Sequence, residues 1–177
     1  MKKYFIFLTA VIVAASGFKQ GNNTVKRSII TFQVKNVGIA TTGAIGGLQA
    51  NVRFNPANLT ASSIEASVDV NTINTDNPDR DEHLKSDDFF DVAHFPRITL
   101  KSISFRHKSG NNYTGQFTLT MKGKSKLVDI PFNFVDKTTT MELKGAFKIN
   151  RLDFGVGENS LILSNEVNVN LDAEIIK

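Results

Sequence analysis

The sequence contains no cysteine and no tryptophan, and its only tyrosines are Tyr4 and Tyr113. Without cysteine there are no disulfides and no thiolate metal ligands, so an exported chain of this composition must draw its stability from one ordinary hydrophobic core. Cysteine nucleophiles are excluded with them, and no serine sits in a G-x-S-x-G elbow. No long Pro/Ser linker, low-complexity tract or internal repeat suggests a second unit. The formal charge is only +4, and its lysines and arginines are scattered, which excludes a nucleic-acid footprint. The one long apolar run is at the start, in MKKYFIFLTAVIVAASG. Two lysines, an apolar stretch from Tyr4 to Ala15 and the small residues Ala15 and Gly17 predict a signal peptide over residues 1–17, too short for a membrane anchor. Residues 18–177 are then a single exported domain with a formal charge of +2, since Lys2 and Lys3 leave with the leader. The expected location is the periplasm.

What the chain does have is apolar alternation with a period of two. In SIITFQVKN, Ile30, Phe32 and Val34 share one face and Thr31, Gln33 and Lys35 the other, the pattern of a half-buried strand. The same pattern marks NVRF, SIEASVDV, YTGQFTLTM, DIPFNFV, MELKGAFKI and EVNVNLDAEI, and RITLKSISF adds a less regular strand. Turn-prone segments such as NPANLTAS, HKSGNN, KGKSK, VDKTTT and GVGENS separate them. About eight strands joined by short connections predict an all-β antiparallel sandwich or closed barrel. A membrane barrel would need aromatic girdles, which one tyrosine and no tryptophan downstream of the leader do not supply.

The exception is DNPDRDEHLKSDDFFDVAHFP, residues 76–96, which concentrates carboxylates, His83 and His94. Asp79 with Glu82 three residues later resembles a capping box, predicting a short helical insertion around residues 79–91. A calcium loop starting at Asp79 fails, because His83, Leu84 and Phe90 fall where oxygen ligands or glycine are required. Zinc-type spacing is equally absent, so no metal site is expected. Carboxylate pairs can come from anywhere in a fold, so spacing alone leaves a hydrolase open. The plainer reading is a lid or wall: Leu84, Phe89 and Phe90 cover apolar surface, Asp79, Asp81, Glu82, Asp87 and Asp88 face water, and His83 makes a hydrogen bond.

Three motifs in this order carry a family resemblance. They are Arg80, Asp81, His83, Leu84, Ser86, Phe89, Phe90 and Asp91 in RDEHLKSDDFFD; Leu119, Thr120 and Gly123 in LTMKG; and Arg151 with Asp153 to Gly157 in RLDFGVG. Together they closely resemble the YceI-like family, and the resemblance extends over nearly all of residues 24–177. It implies an exported bacterial, lipocalin-like, eight-stranded antiparallel barrel whose elongated interior holds a polyisoprenoid or similar long-chain amphiphile. On the first strand, where the family commonly carries histidines, this chain has Arg27 and Asn36.

An eight-stranded barrel either fills with side chains or holds one small ligand. The lining expected here is Ile30, Phe32, Val34, Phe54, Val68, Val70, Phe117, Leu119, Phe132, Phe134 and Phe147. Such an interior suits a hydrocarbon chain better than a sugar or nucleotide. The expected ligand is an isoprenoid quinone, a polyprenyl or a fatty-acyl compound, with no other cofactor, no catalytic residue and no enzyme activity. A homodimer is compatible with that reading. Two alternatives stand beside it: an exported carboxylate-dependent hydrolase, and a ligand-free structural or adhesion β-domain.

Overall fold

Every one of the eight alternating segments is a strand. A computed structural model describes residues 23–177; the expected leader lies outside the described residues. The strands are β1 (Val25–Asn36), β2 (Ile39–Arg53), β3 (Ser63–Asn74), β4 (Arg97–Ser109), β5 (Asn112–Met121), β6 (Lys124–Asp136), β7 (Thr140–Asn150) and β8 (Leu163–Ile176). Each pairs antiparallel with its predecessor, and β8 returns to β1, so the sheet closes on itself and has no free edge strand. The expected eight-stranded antiparallel barrel is therefore the observed fold.

Alternation is strictest in β5, where Tyr113, Gly115, Phe117, Leu119 and Met121 are buried and the residues between them, from Thr114 to Thr120, are half-buried. The outer face carries cross-strand ion pairs, among them Lys101–Glu65 at 3.1 Å, Lys144–Asp172 at 3.2 Å and Lys148–Glu166 at 2.7 Å. Charged pairs thus occupy the face where a membrane barrel presents its apolar band.

The second strand is longer than NVRF and reaches back to Ile39. Its glycines hide it: pairing with β3 is irregular between Ala44 and Gln49, and Gly47 takes φ 65, a left-handed value that glycine adopts without steric cost. The helical insertion also differs in its boundaries. The helix α1 spans Pro78–Lys85, and turns replace it from Asp87 to His94. Its N-cap is Asn77, whose side chain accepts from Arg80 N–H, with Pro78 in the first turn. Asn77 precedes a proline that needs no N–H partner, so it is the better cap than Asp79.

Three connections lie at one end of the barrel and four at the other. At the first end, Phe54, just after β2, sits among Phe105, Tyr113, Phe132 and Phe134, with ring centroids at 5.1, 4.9, 5.5 and 4.6 Å. These mostly edge-to-face contacts make an aromatic plug. At the other end, the mouth, lie the β1–β2 turn, the insertion between β3 and β4, the β5–β6 turn and the segment 151–162 between β7 and β8.

Candidate functional site

Between plug and mouth the barrel encloses a cavity of about 390 Å³. Its walls come from every strand. Ile30, Phe32 and Val34 of β1, Val68 of β3, Phe117 and Leu119 of β5, Phe132 of β6 and Phe147 of β7 all line it. Leu84, Phe89 and Phe90 of the insertion line it from the mouth.

Three expected lining residues do not. Phe54 and Phe134 belong to the plug, beyond the cavity floor, with relative exposures of 9% and 2%. They share a face with lining residues, but lie too far along the barrel axis to reach the cavity. Val70 is also buried, at 1%. Its N–H donates to Pro96 C=O at 2.9 Å, and it sits where β3 stops following the register of β2, which moves it out of the wall.

Residues outside the expected set complete the lining. Ile45 and Leu48 of β2 both face inward although three positions apart, which only the irregular register at Gly46 and Gly47 permits. Val167, Val169 and Leu171 of β8 alternate regularly and were readable as one face.

Thr31, Ser67 and Thr99 are polar residues of the wall, but the charged lining residues gather at the mouth. Thr75, just after β3, is buried and tied to the insertion: its backbone N–H and hydroxyl donate to Asp81 Oδ1 at 2.9 and 2.5 Å. Arg80 donates through Nε to Thr75 Oγ1 at 2.7 Å and through Nη2 to Thr75 C=O at 2.6 Å. The Arg80–Asp81 pair of the first motif is thus a fastening for the helix. Asp81 is consequently not a water-facing residue, because a hydroxyl and an amide claim its carboxylate. The His83 ring has no hydrogen-bond partner among the described residues; it packs edge-on against Phe89 at 4.9 Å and lines the cavity.

The other two motifs converge on the same end. Lys122, in the β5–β6 turn, donates to Asp87 C=O at 2.6 Å and to Gly155 C=O at 3.0 Å. Gly157 N–H donates to Asp88 C=O at 2.9 Å. Arg151 is 4% exposed, and its guanidinium donates to the carbonyls of Val156, Glu158 and Ser164 and to Asn165 Oδ1 at 2.7–3.1 Å. Burial lowers its pKa, yet a guanidinium stays charged in proteins. Carbonyl dipoles, with no carboxylate, satisfy it. Gly155 and Gly157, at φ 69 and 65, supply the backbone freedom that RLDFGVG was expected to need, after a 3-10 turn at Arg151–Phe154.

No carboxylate lines the cavity among the described residues, and no three His, Asp or Glu side chains there converge as metal ligands. Among the described residues, its titratable lining groups are Arg80, His83 and Arg151. Arg27, where the family commonly has histidine, points outward to Asp172 at 2.7 Å, whereas Asn36 lines the cavity. An apolar tube with a polar rim can hold a chain-like molecule by its hydrocarbon body.

A model of the YceI-like domain matches residues 23–175. The chain belongs to the YceI-like family. Among curated relatives, a UPF0312 protein of Pectobacterium atrosepticum is 27% identical over 141 residues, covering 73% of this chain and 71% of that protein. A UPF0312 protein of Vibrio cholerae is 28% identical over 107 residues, covering 60% of this chain; the chain spans 57% of that relative's length. Among solved YceI-like structures and others of the same fold, Burkholderia cenocepacia BcnA superposes with a TM-score of 0.78 at 26% identity, covering 83% of this chain and 95% of that one. A polyisoprenoid binding domain from Saccharophagus degradans superposes at 0.71 with 15% identity, over 87% of this chain and 97% of that one, a likeness of fold.

Proposed function

We propose that this YceI-like protein binds a polyisoprenoid, an isoprenoid quinone or a similar long-chain amphiphile inside its barrel, and carries or stores it without chemical change. The observation that carries this reading is the cavity itself. Protein interiors leave few spaces larger than a water molecule, so about 390 Å³ bounded by apolar side chains on all eight strands is a ligand chamber rather than a filled core. That volume falls in the range of about 300–1,000 Å³ usual for small-molecule sites. The hydrocarbon would lie between Phe32, Phe117 and Phe147, with its polar end beside Asn36, Thr75 and Arg80 at the mouth. No cofactor beyond that lipid enters the reading. The leader-like N-terminus supports a periplasmic location, and the name of the Saccharophagus degradans domain supports the ligand class.

The hydrolase reading loses its main support, since the carboxylates of residues 76–96 cap and fasten the insertion or face solvent. Mass spectrometry of organic extracts from protein purified without detergent tests the proposal. A stoichiometric isoprenoid or acyl compound is expected. Lipid-free protein that takes up none on incubation would return the barrel to a structural role.

A further inference from the structure

Two connections at the mouth carry strongly exposed apolar side chains. Val37 is 66% exposed, Ile39 72%, Ile162 59%, and Leu161 stands wholly in solvent. They form one patch: Val37 N–H donates to Ile162 C=O at 2.7 Å, and Asn36 pairs with both Ile39 and Leu163. The hairpin tip projects past the wall, because β2 pairs with β3 only from Ala44 onward while Ile39–Gly43 are held by β1 alone.

Folding gives no reason for this composition. Val37 and Gly38 make a two-residue hairpin with φ 53 and 78, where asparagine followed by glycine is the usual choice. A β-branched residue in that region is a steric outlier, and here its side chain is mostly in solvent, so little burial repays the strain. Beside the tip, Lys35 is exposed and, among the described residues, joins no ion pair, as is also true of Lys108, Lys124 and Lys126. Of the exposed acidic residues at the mouth, Asp76, Asp79, Glu82, Asp87 and Asp88 lie on the insertion, and Asp153 and Glu158 on the 151–162 connection.

We infer that Val37, Ile39, Leu161 and Ile162 are a lip that inserts into the surface of a lipid bilayer and seats the cavity mouth on it. The lip is continuous with the chamber, since Asn36, Thr41 and Leu163 line the cavity and adjoin the lip in the chain. Docking on this side gives a water-insoluble chain an apolar path between bilayer and barrel, and it rests on the ligand reading for its purpose. Lys35, exposed beside the hairpin tip, supplies an ammonium on a long apolar stem for anionic headgroups.

The test uses vesicles of phosphatidylethanolamine and phosphatidylglycerol that contain no isoprenoid, so docking is read apart from ligand uptake. The purified protein should float with them in a density gradient. Ile39→Asp with Leu161→Asp should lower the floated fraction at least tenfold, with an unchanged circular dichroism spectrum and melting temperature, and should still take up a detergent-dispersed prenyl compound. Lys35→Glu should weaken flotation on these vesicles but not on phosphatidylcholine. Because the chain lacks tryptophan, Leu161→Trp adds a unique reporter whose emission should shift to shorter wavelength on vesicle addition. Absence of flotation, or flotation equal in the double variant, overturns the lip. Self-association that the double variant abolishes, without vesicle binding, overturns it in favour of a second copy. Failure of both proteins to take up the prenyl compound while the wild type floats would sink the ligand reading and leave docking standing.

Discussion

The two ends of this barrel solve the problem of closure with opposite chemistry. The far end is shut by rings: Phe54, Phe105, Tyr113, Phe132 and Phe134 stack at centroid distances of 4.6–6.0 Å, and the side chains carry almost no polar demand. The mouth is spanned by hydrogen bonds, through Thr75–Asp81–Arg80, Arg151 with its carbonyls, and Lys122 with Asp87 and Gly155. Close packing tolerates no gap, so the plug is rigid. Hydrogen bonds to loop backbone can break and re-form locally at far lower cost than a core can open, so of the two ends the mouth is the one that can open. The difference teaches that the family motifs, all three at the mouth, specify how the barrel is closed rather than what reaction it performs.

The comparison breaks most visibly at the plug. Phe54→Ala removes a ring in contact with four others and should cost about 3–5 kcal/mol in denaturant unfolding, the usual loss for a buried phenylalanine. A loss under about 1 kcal/mol would mean that the plug is not a close-packed unit.

Ligand binding should separate wall from plug. A fitting polyprenyl compound at a hundredfold excess over Kd contributes about 2.7 kcal/mol. At roughly 2–4 °C per kcal/mol, the melting temperature should rise by about 5–10 °C. Phe117→Asp, in the cavity wall, should abolish that rise in protein that still folds, because a carboxylate facing hydrocarbon is costly to desolvate. Phe134→Asp, in the plug, should instead impair folding itself. A ligand-induced shift retained by Phe117→Asp would move the binding site elsewhere.

At the mouth, Asp81→Ala leaves the N–H and hydroxyl of buried Thr75 without their acceptor and should cost about 1–3 kcal/mol. Hydrogen exchange should accelerate in residues 75–95 and stay unchanged in the plug. Metal content, measured by mass spectrometry, should be the same in both proteins. Uniform acceleration across the barrel would contradict a local fastening.

The smallest effect belongs to the outer wall near the plugged end. Lys26 and Thr140 hold Glu174 below its ordinary carboxylate value of 4.5. For Asp172, burial pushes the other way, but Arg27 and Lys144 prevail and hold it below 3.8. Carboxylates lowered in the folded state contribute stability that is present above those ordinary values and is lost as pH falls through the lowered ones. Denaturant midpoints should therefore be flat near neutrality and decline below about pH 4, less steeply in Asp172→Asn, and high salt should shrink the difference. An equal acid slope in the variant would show that these exposed pairs contribute nothing.

Strand number, antiparallel order and the inward face of β5 were all legible, because a period of two fixes which side chains of each strand are buried, though it left sandwich and barrel both open. Leu84, Phe89 and Phe90 were legible as a covering because they are the apolar residues of an otherwise acidic insertion. The sequence alone could not show that Ile45 and Leu48 face the same way, since an irregularity at Gly46 and Gly47 changes the period where glycines already erase it. Nor could it separate Phe117 from Phe134, which occupy the same face of the sheet by any periodicity. Their height along the axis depends on strand tilt and stagger, quantities that exist only once the barrel has closed. The same closure brings Arg80, Lys122 and Arg151, far apart in the chain, to one rim, and it decides which rings become a plug and which become the wall of a chamber.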